Sequence, residues 1–419
     1  MSVTHRVTQE PDRRWAMLGI ASLAQLAMAL NWFNISPALP GIADDLGFGA
    51  TGQGAVVSGF VLAFALLHVP GGMLGARYGI RRTLVAGSVI QAIGTVLAGF
   101  APNLTLLFLA RVFAGAGASV ITVVAIGAMS AWFIDKEITL AMSMITGVAF
   151  TGGIAMSFYV WTYVQQAMGW AGSSVVAGVV QAAVALLVWV AFRTPVGHSK
   201  LEGSARLDMK AIIAACRNRH VIIYGLGFMG TYGAYITVSQ LLVPYAISER
   251  GMDVAGGSLL GGTLALIGIP ICVVGGWMAD RTGRVRAILG WGTALVAIST
   301  FVIPLDGHLM LWVGGIGVTV FLLLAFPAWT AVPAAVGRVP MDMVASASGV
   351  MFAFSGIGGF VMPLLYGAIA DSAGPTAAWM TLGVITVVLG LLIALGGNAH
   401  KIAAGTRAGE PEGEAAPVH

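Results

Sequence analysis

Apolar residues in this chain come in long unbroken runs, without the alternation of a half-buried strand or the three-to-four spacing of an amphipathic surface helix. A helix rising 1.5 Å per residue needs about 20 such residues to cross the hydrocarbon core of a bilayer. Scanning at that length predicts spans near residues 15–36, 52–74, 83–101, 104–131, 139–162 and 172–192. After a polar stretch, six more are predicted near 221–247, 256–278, 287–304, 309–334, 343–370 and 377–396. Twelve is even, so both ends of the chain are expected on one side. The first run passes Trp15 without a small-residue cleavage site, so it is expected to remain as a span.

Composition narrows the picture. Of 419 residues, 58% are hydrophobic and 9% charged, with a mean hydropathy of +0.90. Soluble domains carry about 25% charged residues, and a disordered chain would be polar. The expected fold class is therefore an all-α membrane protein. Its two cysteines, Cys216 and Cys272, read as reduced thiols.

The net charge of +4 would suit a nucleic-acid partner only if the cations clustered on a soluble module, and here they are sorted by side. Of the 21 Lys and Arg, only Arg111, inside a span, and Arg250, in an opposite loop, fall outside one set of loops and termini. The opposite loops carry Asp44, Asp45, Glu249, Asp253, Asp306 and Asp371. The positive-inside rule makes the basic side cytoplasmic, which predicts a multi-pass protein of the inner (plasma) membrane with both termini in the cytoplasm.

The chain divides into a cytoplasmic segment 1–14, a six-helix half 15–192, a cytoplasmic linker 193–220, a second six-helix half 221–396 and a tail 397–419. Within the linker, Leu207 to Cys216 reads as an amphipathic helix on the membrane surface. The tail, poor in apolar residues, is expected to be disordered. The halves repeat: Gly71-Gly72-Met73-Leu74-Gly75-Ala76-Arg77-Tyr78-Gly79-Ile80-Arg81-Arg82 aligns without a gap on the stretch Gly275 to Arg286, an offset of 204 residues. Gly147-Val148-Ala149-Phe150 echoes Gly349-Val350-Met351-Phe352 in the fifth helix of each half.

These stretches resemble the major facilitator superfamily, and the similarity covers essentially residues 15–396. The family's loop signature Gly-x-x-x-Asp-Arg-x-Gly-Arg-Arg is matched by Gly276, Asp280, Arg281, Gly283, Arg284 and Arg286. The first-half copy has Gly72, Arg77, Gly79, Arg81 and Arg82, with Ala76 where the Asp belongs. Arg111, Gly115 and Gly117 meet the fourth-helix signature Arg-x-x-x-Gly-x-Gly. The resemblance implies twelve helices in two six-helix repeats, alternating access, and a gating role for the two loops. Read as residues, Gly72 and Gly276 allow close helix approach and Gly79 and Gly283 the tight turns. The arginines bind carbonyl ends, carboxylates or anionic lipid heads, or serve as topology signals. Asp280 contributes nothing to topology, which favours gating.

Polar residues inside the spans are the candidate chemistry. Arg111 sits about 10 Å down the fourth helix, where a charge costs at least ~2.5 kcal/mol unless it is partnered or faces a cavity. It is expected either to bond helix one or to meet an anionic cargo. His68, near the basic end of helix two, can handle a proton or act as an interhelical hydrogen-bonding group. Asn31 and Asn34 share a face of helix one, as Tyr232, Tyr235 and Ser239 share one of helix seven, with Tyr224 above. In the family these helices line the cavity, so the five are candidates for cargo contact, interhelical bonding being the alternative. Trp329 and Tyr366 are weaker candidates. Glycines 225, 227, 230 and 233 serve either bending or close packing.

No Asp or Glu lies at the middle of a predicted span, and a lone buried cation favours an anionic cargo. The expectation is a secondary active transporter for a small anionic solute, its midplane site lined by helices 1, 4, 7 and 10, with a coupling proton or counter-solute and membrane lipids as partners. In general look it is similar to uptake systems for organic or small inorganic anions. The alternative is an exporter of hydrophobic drugs or metabolites, although Gly147, Gly152 and Gly153 leave the antiporters' Gly-Pro-rich signature incomplete. No metal cluster, catalytic carboxylate pair, Gly-x-Ser-x-Gly or phosphate loop is present, so neither an enzyme nor a cofactor or metal is expected. No nucleic-acid partner is expected, and the protein is expected to be monomeric.

Overall fold

The computed structural model describes residues 11–133, 137–194, 209–335, 339 and 344–395. Most of the N-terminal segment, the middle of the linker and the tail lie outside the described residues, so the expectation of a disordered tail concerns residues beyond them.

Among the described residues, ten helices are long and apolar enough to cross a membrane, and a bent pair makes an eleventh. The helix Phe150–Ala191, 42 residues long, would reach about 63 Å if straight, twice a bilayer core. It turns at Gly169, whose φ of 71° and ψ of 175° leave helical space, and so supplies two spans. The spans are α1 (Pro11–Trp32, continued by Phe33–Ala38 and Leu39–Leu46), α2 (Ala50–Leu66 and His68–Tyr78), α3 (Ile80–Gly99), α4 (Leu104–Trp132), and α5 and α6 within Phe150–Ala191. The second half holds α7 (Arg219–Ser248), α8 (Val254–Thr282), α9 (Val285–Val302), α10 (His308–Ala335), α11 (Val344–Ala373) and α12 (Pro375–Leu395).

Three elements differ from the hydropathy reading. α1 does not stop near residue 36: Pro37 is absorbed in a 3-10 segment, Pro40 lies in the first turn of the next helix, and the chain stays helical to Leu46 before Gly47 caps it in the left-handed region. α5 is preceded by a π-helical turn, Ser143–Ala149, around the repeated Gly147 motif. The linker helix, described from Met209, runs to Arg217, one residue beyond the expected end, and the expected start at Leu207 lies outside the described residues.

The halves meet at the acidic end of the bundle and part at the basic end. The apolar core of the first half runs on into the acidic-end portion of the second, through Ile236, Leu242, Met362 and Trp379. The basic-end portion of the second half packs separately, around Tyr224, Phe228, Trp329, Ala347 and Met351. The hydrogen bonds between halves follow the same division. Ser58 Oγ donates to the Phe360 carbonyl at 2.6 Å, Thr162 and Ser258 share one at 2.6 Å, and Asp371 accepts from the start of α2. No hydrogen bond between described residues joins the halves at the basic end. There a Cβ added to Gly147 or Gly349 would meet nothing, and Leu66 and Phe352 are exposed.

α2 shows how the parting is built. Its first segment lies along α11, so closely that a Cβ on Gly54 would overlap the Pro363 carbonyl. The contact ends near Ala65, whose Cβ would lie 2.5 Å from one on Gly356. At Leu67 the helix bends by 48°. Pro70, lacking an N–H, leaves the Leu66 carbonyl without its usual helical partner. Beyond the bend, Gly71 packs on Val120 and Val123 of α4.

Candidate functional site

Arg111 is held inside the first half. It is 1% exposed. One terminal nitrogen donates to the Trp32 carbonyl on α1 at 2.9 Å, and the guanidinium lies 4.6 Å from the Phe60 ring centroid. Its Nε has no partner, and no carboxylate between described residues pairs with it. Trp32 stacks on Phe60 at 4.8 Å and packs against Phe64 at 4.6 Å and Phe150 at 6.0 Å. A charge thus stands in an aromatic cage with a single directed bond.

His68 opens the second segment of α2. Its Nδ1 lies 2.5 Å from the Phe64 carbonyl and 2.8 Å from Ser119 Oγ on α4. A carbonyl can only accept, so Nδ1 carries the proton. The imidazole thereby takes up a carbonyl at the bend of α2, and Phe64 meets its ring edge-on at 4.5 Å.

Both α1 asparagines are buried, and the Asn31 amide bonds within the first half. Asn31, fully buried, donates to the Ala27 carbonyl at 2.9 Å and to Gln181 Oε1 of α6 at 3.4 Å. Asn34 is 2% exposed, its backbone carbonyl accepting from Gln165 at 2.8 Å while its side-chain Oδ1 has no partner. On α7, by contrast, Tyr232, Tyr235 and Ser239 keep partial exposure. Tyr235 and Ser239 line a narrow cleft with Phe158 of α5, Leu264 of α8 and Thr319 of α10, where the halves meet. Tyr232 packs edge-on to Phe228 at 5.6 Å, and Phe228 stacks on Trp329 at 4.9 Å. Tyr224 is buried in the same cluster, and Tyr366 pairs with Trp379 at 4.6 Å. The α7 glycines serve packing: Gly225, Gly227, Gly230 and Gly233 face Phe354, Ile393, Leu389 and Met362, and the helix is continuous.

In the basic loops, the closest helix approach falls one residue before the one expected. A Cβ on Gly275 would overlap the Leu324 carbonyl, and one on Gly71 would lie 3.2 Å from Val123, whereas Gly72 and Gly276 have only ordinary contacts at 3.8 Å. One residue is a 100° step around a helix, which turns the second glycine away. Gly79 (φ 90°) and Gly283 (φ 62°) make the turns. Arg81 donates to the Trp189 carbonyl and lies over that ring, Arg77 lies over Tyr78, and Arg281 lies over Trp277. These contacts stay within one half. Arg82, Asp280 and Arg284 are exposed, Arg286 is half-buried, and Asp280 has no ion pair with a described residue.

Sequence reasoning missed Asp371 and the aromatic cage. Asp371 Oδ1 accepts from Ala50 N at 2.8 Å and Oδ2 from Thr51 N at 2.9 Å. It thus caps α2 from the other half, where Gly49 offers no capping side chain. Helix-period spacing relates Phe60 and Phe64, but nothing local in the sequence relates either to Trp32.

A bundle of twelve spans in two repeats, closed at one end and open at the other around polar groups in the spans, defines a membrane transporter and not an enzyme. The chain belongs to the Major Facilitator Superfamily, whose sequence model matches residues 21–344. It is similar to SauU of Cupriavidus necator, named as a probable sulfoacetate transporter, at 25% identity over 87% of this chain and 89% of that one. It is also similar to the puromycin resistance protein pur8 of Streptomyces alboniger, at 26% identity over 70% of this chain and 60% of that one. The crystal structure of a bacterial homologue of the human lysosomal transporter Spinster, inward-facing and unoccupied, superposes with a TM-score of 0.78 at 16% identity, covering 93% of this chain and 98% of that one.

Proposed function

We propose that the protein moves a small organic anion across the inner membrane by alternating access, with the basic end in the cytoplasm. The observation that carries this reading is the buried charge of Arg111. Among the described residues no acid lies at mid-span to neutralise it, so a positive field acts between the halves, where an anion lowers the energy of the site. The likeness to SauU supports an organic anion. Tyr232, Tyr235 and Ser239 supply neutral donors from the opposing half, and His68 supplies a titratable base through which a proton accompanies the cargo. The Asn31 side chain and the Asn34 backbone carbonyl hold α1 against α6 and α5, and the two basic loops carry the gate, with Asp280 free to engage when the basic end closes. With the basic end cytoplasmic, the conformation is the inward-open one.

The test is ligand stabilisation on purified protein. Sulfoacetate and acetate raise the melting temperature in proportion to the logarithm of concentration, while ethanolamine and tetraphenylphosphonium do not. A rise with the lipophilic cation alone favours the second reading, a drug exporter, for which the aromatic wall of Phe228, Phe326, Trp329 and Phe352 and the likeness to pur8 speak.

Orientation has its own test. In a Cys216→Ser, Cys272→Ser background, an impermeant maleimide added to intact cells labels Asp306→Cys and leaves Ser204→Cys unlabelled until the membrane is broken. The reverse pattern overturns the assignment of the basic end to the cytoplasm.

A further inference from the structure

The linker helix Met209–Arg217 lies across the basic end of the second half. Ala215 is 2% exposed and belongs to the cluster of Val221 and Tyr224 on α7 with Ala347, Val350 and Met351 on α11, and Ile212 packs at its edge. The opposite face is open, and Lys210, Ile213, Ala214, Arg217 and Asn218 line a concavity of about 480 Å³. Asn218 Oδ1 accepts from His220 N and Val221 N, so one wall of this concavity is the cap that starts α7.

Lys210 and Arg217 are seven residues apart, two turns, which puts them on one side of the helix with Cα atoms about 10 Å apart. Between them lie Ala214 and Ile213, the latter 47% exposed. Two cations flanking an apolar floor, on an amphipathic helix joined directly to the ends of membrane spans, match a ligand with two anionic centres and an apolar border. A soluble anion has no use for the exposed Ile213, and a single phosphate occupies one end of the groove only.

We propose that this concavity is a headgroup site for a two-phosphate anionic phospholipid, with Lys210 and Arg217 each taking one phosphate and Ile213 meeting the glycerol and the first acyl carbons. The occupant bridges the linker to the starts of α7 and α11, the helices that part from the first half at this end of the bundle. The site requires no assumption about the cargo.

The experiment uses the full chain in nanodiscs of phosphatidylcholine with added tetraoleoyl cardiolipin, and native mass spectrometry after extraction. Each cation at a membrane surface contributes about fivefold to anionic lipid binding. Wild type therefore retains one cardiolipin, and Lys210→Gln with Arg217→Gln retains it roughly thirtyfold less. The charge-conserving pair Lys210→Arg with Arg217→Lys retains it as wild type does, which separates loss of the site from loss of folding. Retention of cardiolipin by the Gln pair overturns the site. Equal retention of phosphatidylglycerol overturns the two-phosphate assignment, and displacement by millimolar inorganic phosphate makes it a site for soluble anions.

Discussion

Arg111→Gln is expected to fold and melt close to the wild type while losing most of its response to an anion. The fold argument is a near balance. Burying a guanidinium costs several kcal/mol. Against this stand one charge-assisted bond to the Trp32 carbonyl, about 1.5–3 kcal/mol, and a desolvated cation–π contact with Phe60, about 2 kcal/mol. Removing the charge removes both sides of that balance. The binding argument is not balanced, because the field of Arg111 is uncompensated by any carboxylate between described residues. At about 10 Å and an effective dielectric of ~20, a unit charge contributes about 1.7 kcal/mol to an anion, which is roughly a fifteen- to twentyfold change in affinity. Since the guanidinium is 1% exposed and directed at a backbone carbonyl, the effect is one of field and not of a bidentate grip. Arg111→Lys, which keeps the charge, is therefore expected to bind sulfoacetate within about threefold of wild type. Thermal shifts titrated with sulfoacetate on monodisperse protein give both numbers. Normal affinity in well-folded Arg111→Gln defeats the electrostatic reading, and collapse of both variants makes Arg111 a structural residue.

The spans were legible because a bilayer demands about 20 apolar residues per crossing, a signal that needs no knowledge of neighbours. The breaks within them were only half legible. Pro70 and Gly169 mark places where a helix can fail, but a proline can be absorbed, as Pro244 is within the continuous α7. What the chain does at such a residue depends on whether a partner such as the His68 side chain takes up a nearby carbonyl. The facing of polar residues was not legible. Asn31 and Asn34 do share a face, but lipid and protein neighbours are equally apolar, so hydrophobic periodicity does not say whether that face looks at α6 or at the gap between halves. For Asn31 it is α6, through Gln181. The loop glycines illustrate the same limit at one residue's resolution. The repeat located the close approach, and only the packing of Leu324 and Val123 shows that Gly275 and Gly71 make it.

Asp371 was the least legible residue and carries the second large effect. In sequence it is one more acid at a helix end, 321 and 320 residues from the two amides it caps. In the fold its two oxygens take the first amides of α2, which have no capping side chain of their own. The contact joins the halves, so it exists only while the acidic end is closed, and a contact made in one state alone biases the equilibrium by its full differential energy. An exposed carboxylate at a helix N-terminus contributes about 0.3–1 kcal/mol through the dipole, and a hydrogen bond to a charged group adds about 1.5–3 kcal/mol before solvent competition. After discounting for the exposure of Asp371, about 1.4 kcal/mol is expected to be lost in Asp371→Asn, where an amide N–H faces a backbone N–H. That shifts the population open at the acidic end about tenfold. The reporter is Val61→Cys, 2% exposed and packed on the α11 side at Gly359. Its labelling by an impermeant maleimide in intact cells is expected to be about ten times faster in the Asp371→Asn background. Asp371→Glu, which keeps the charge on a longer arm, is expected to recover part of the closure. An unchanged labelling rate, in protein with an unchanged melting temperature, means that Ser58, Thr162 and the glycine-packed interfaces close this end without Asp371.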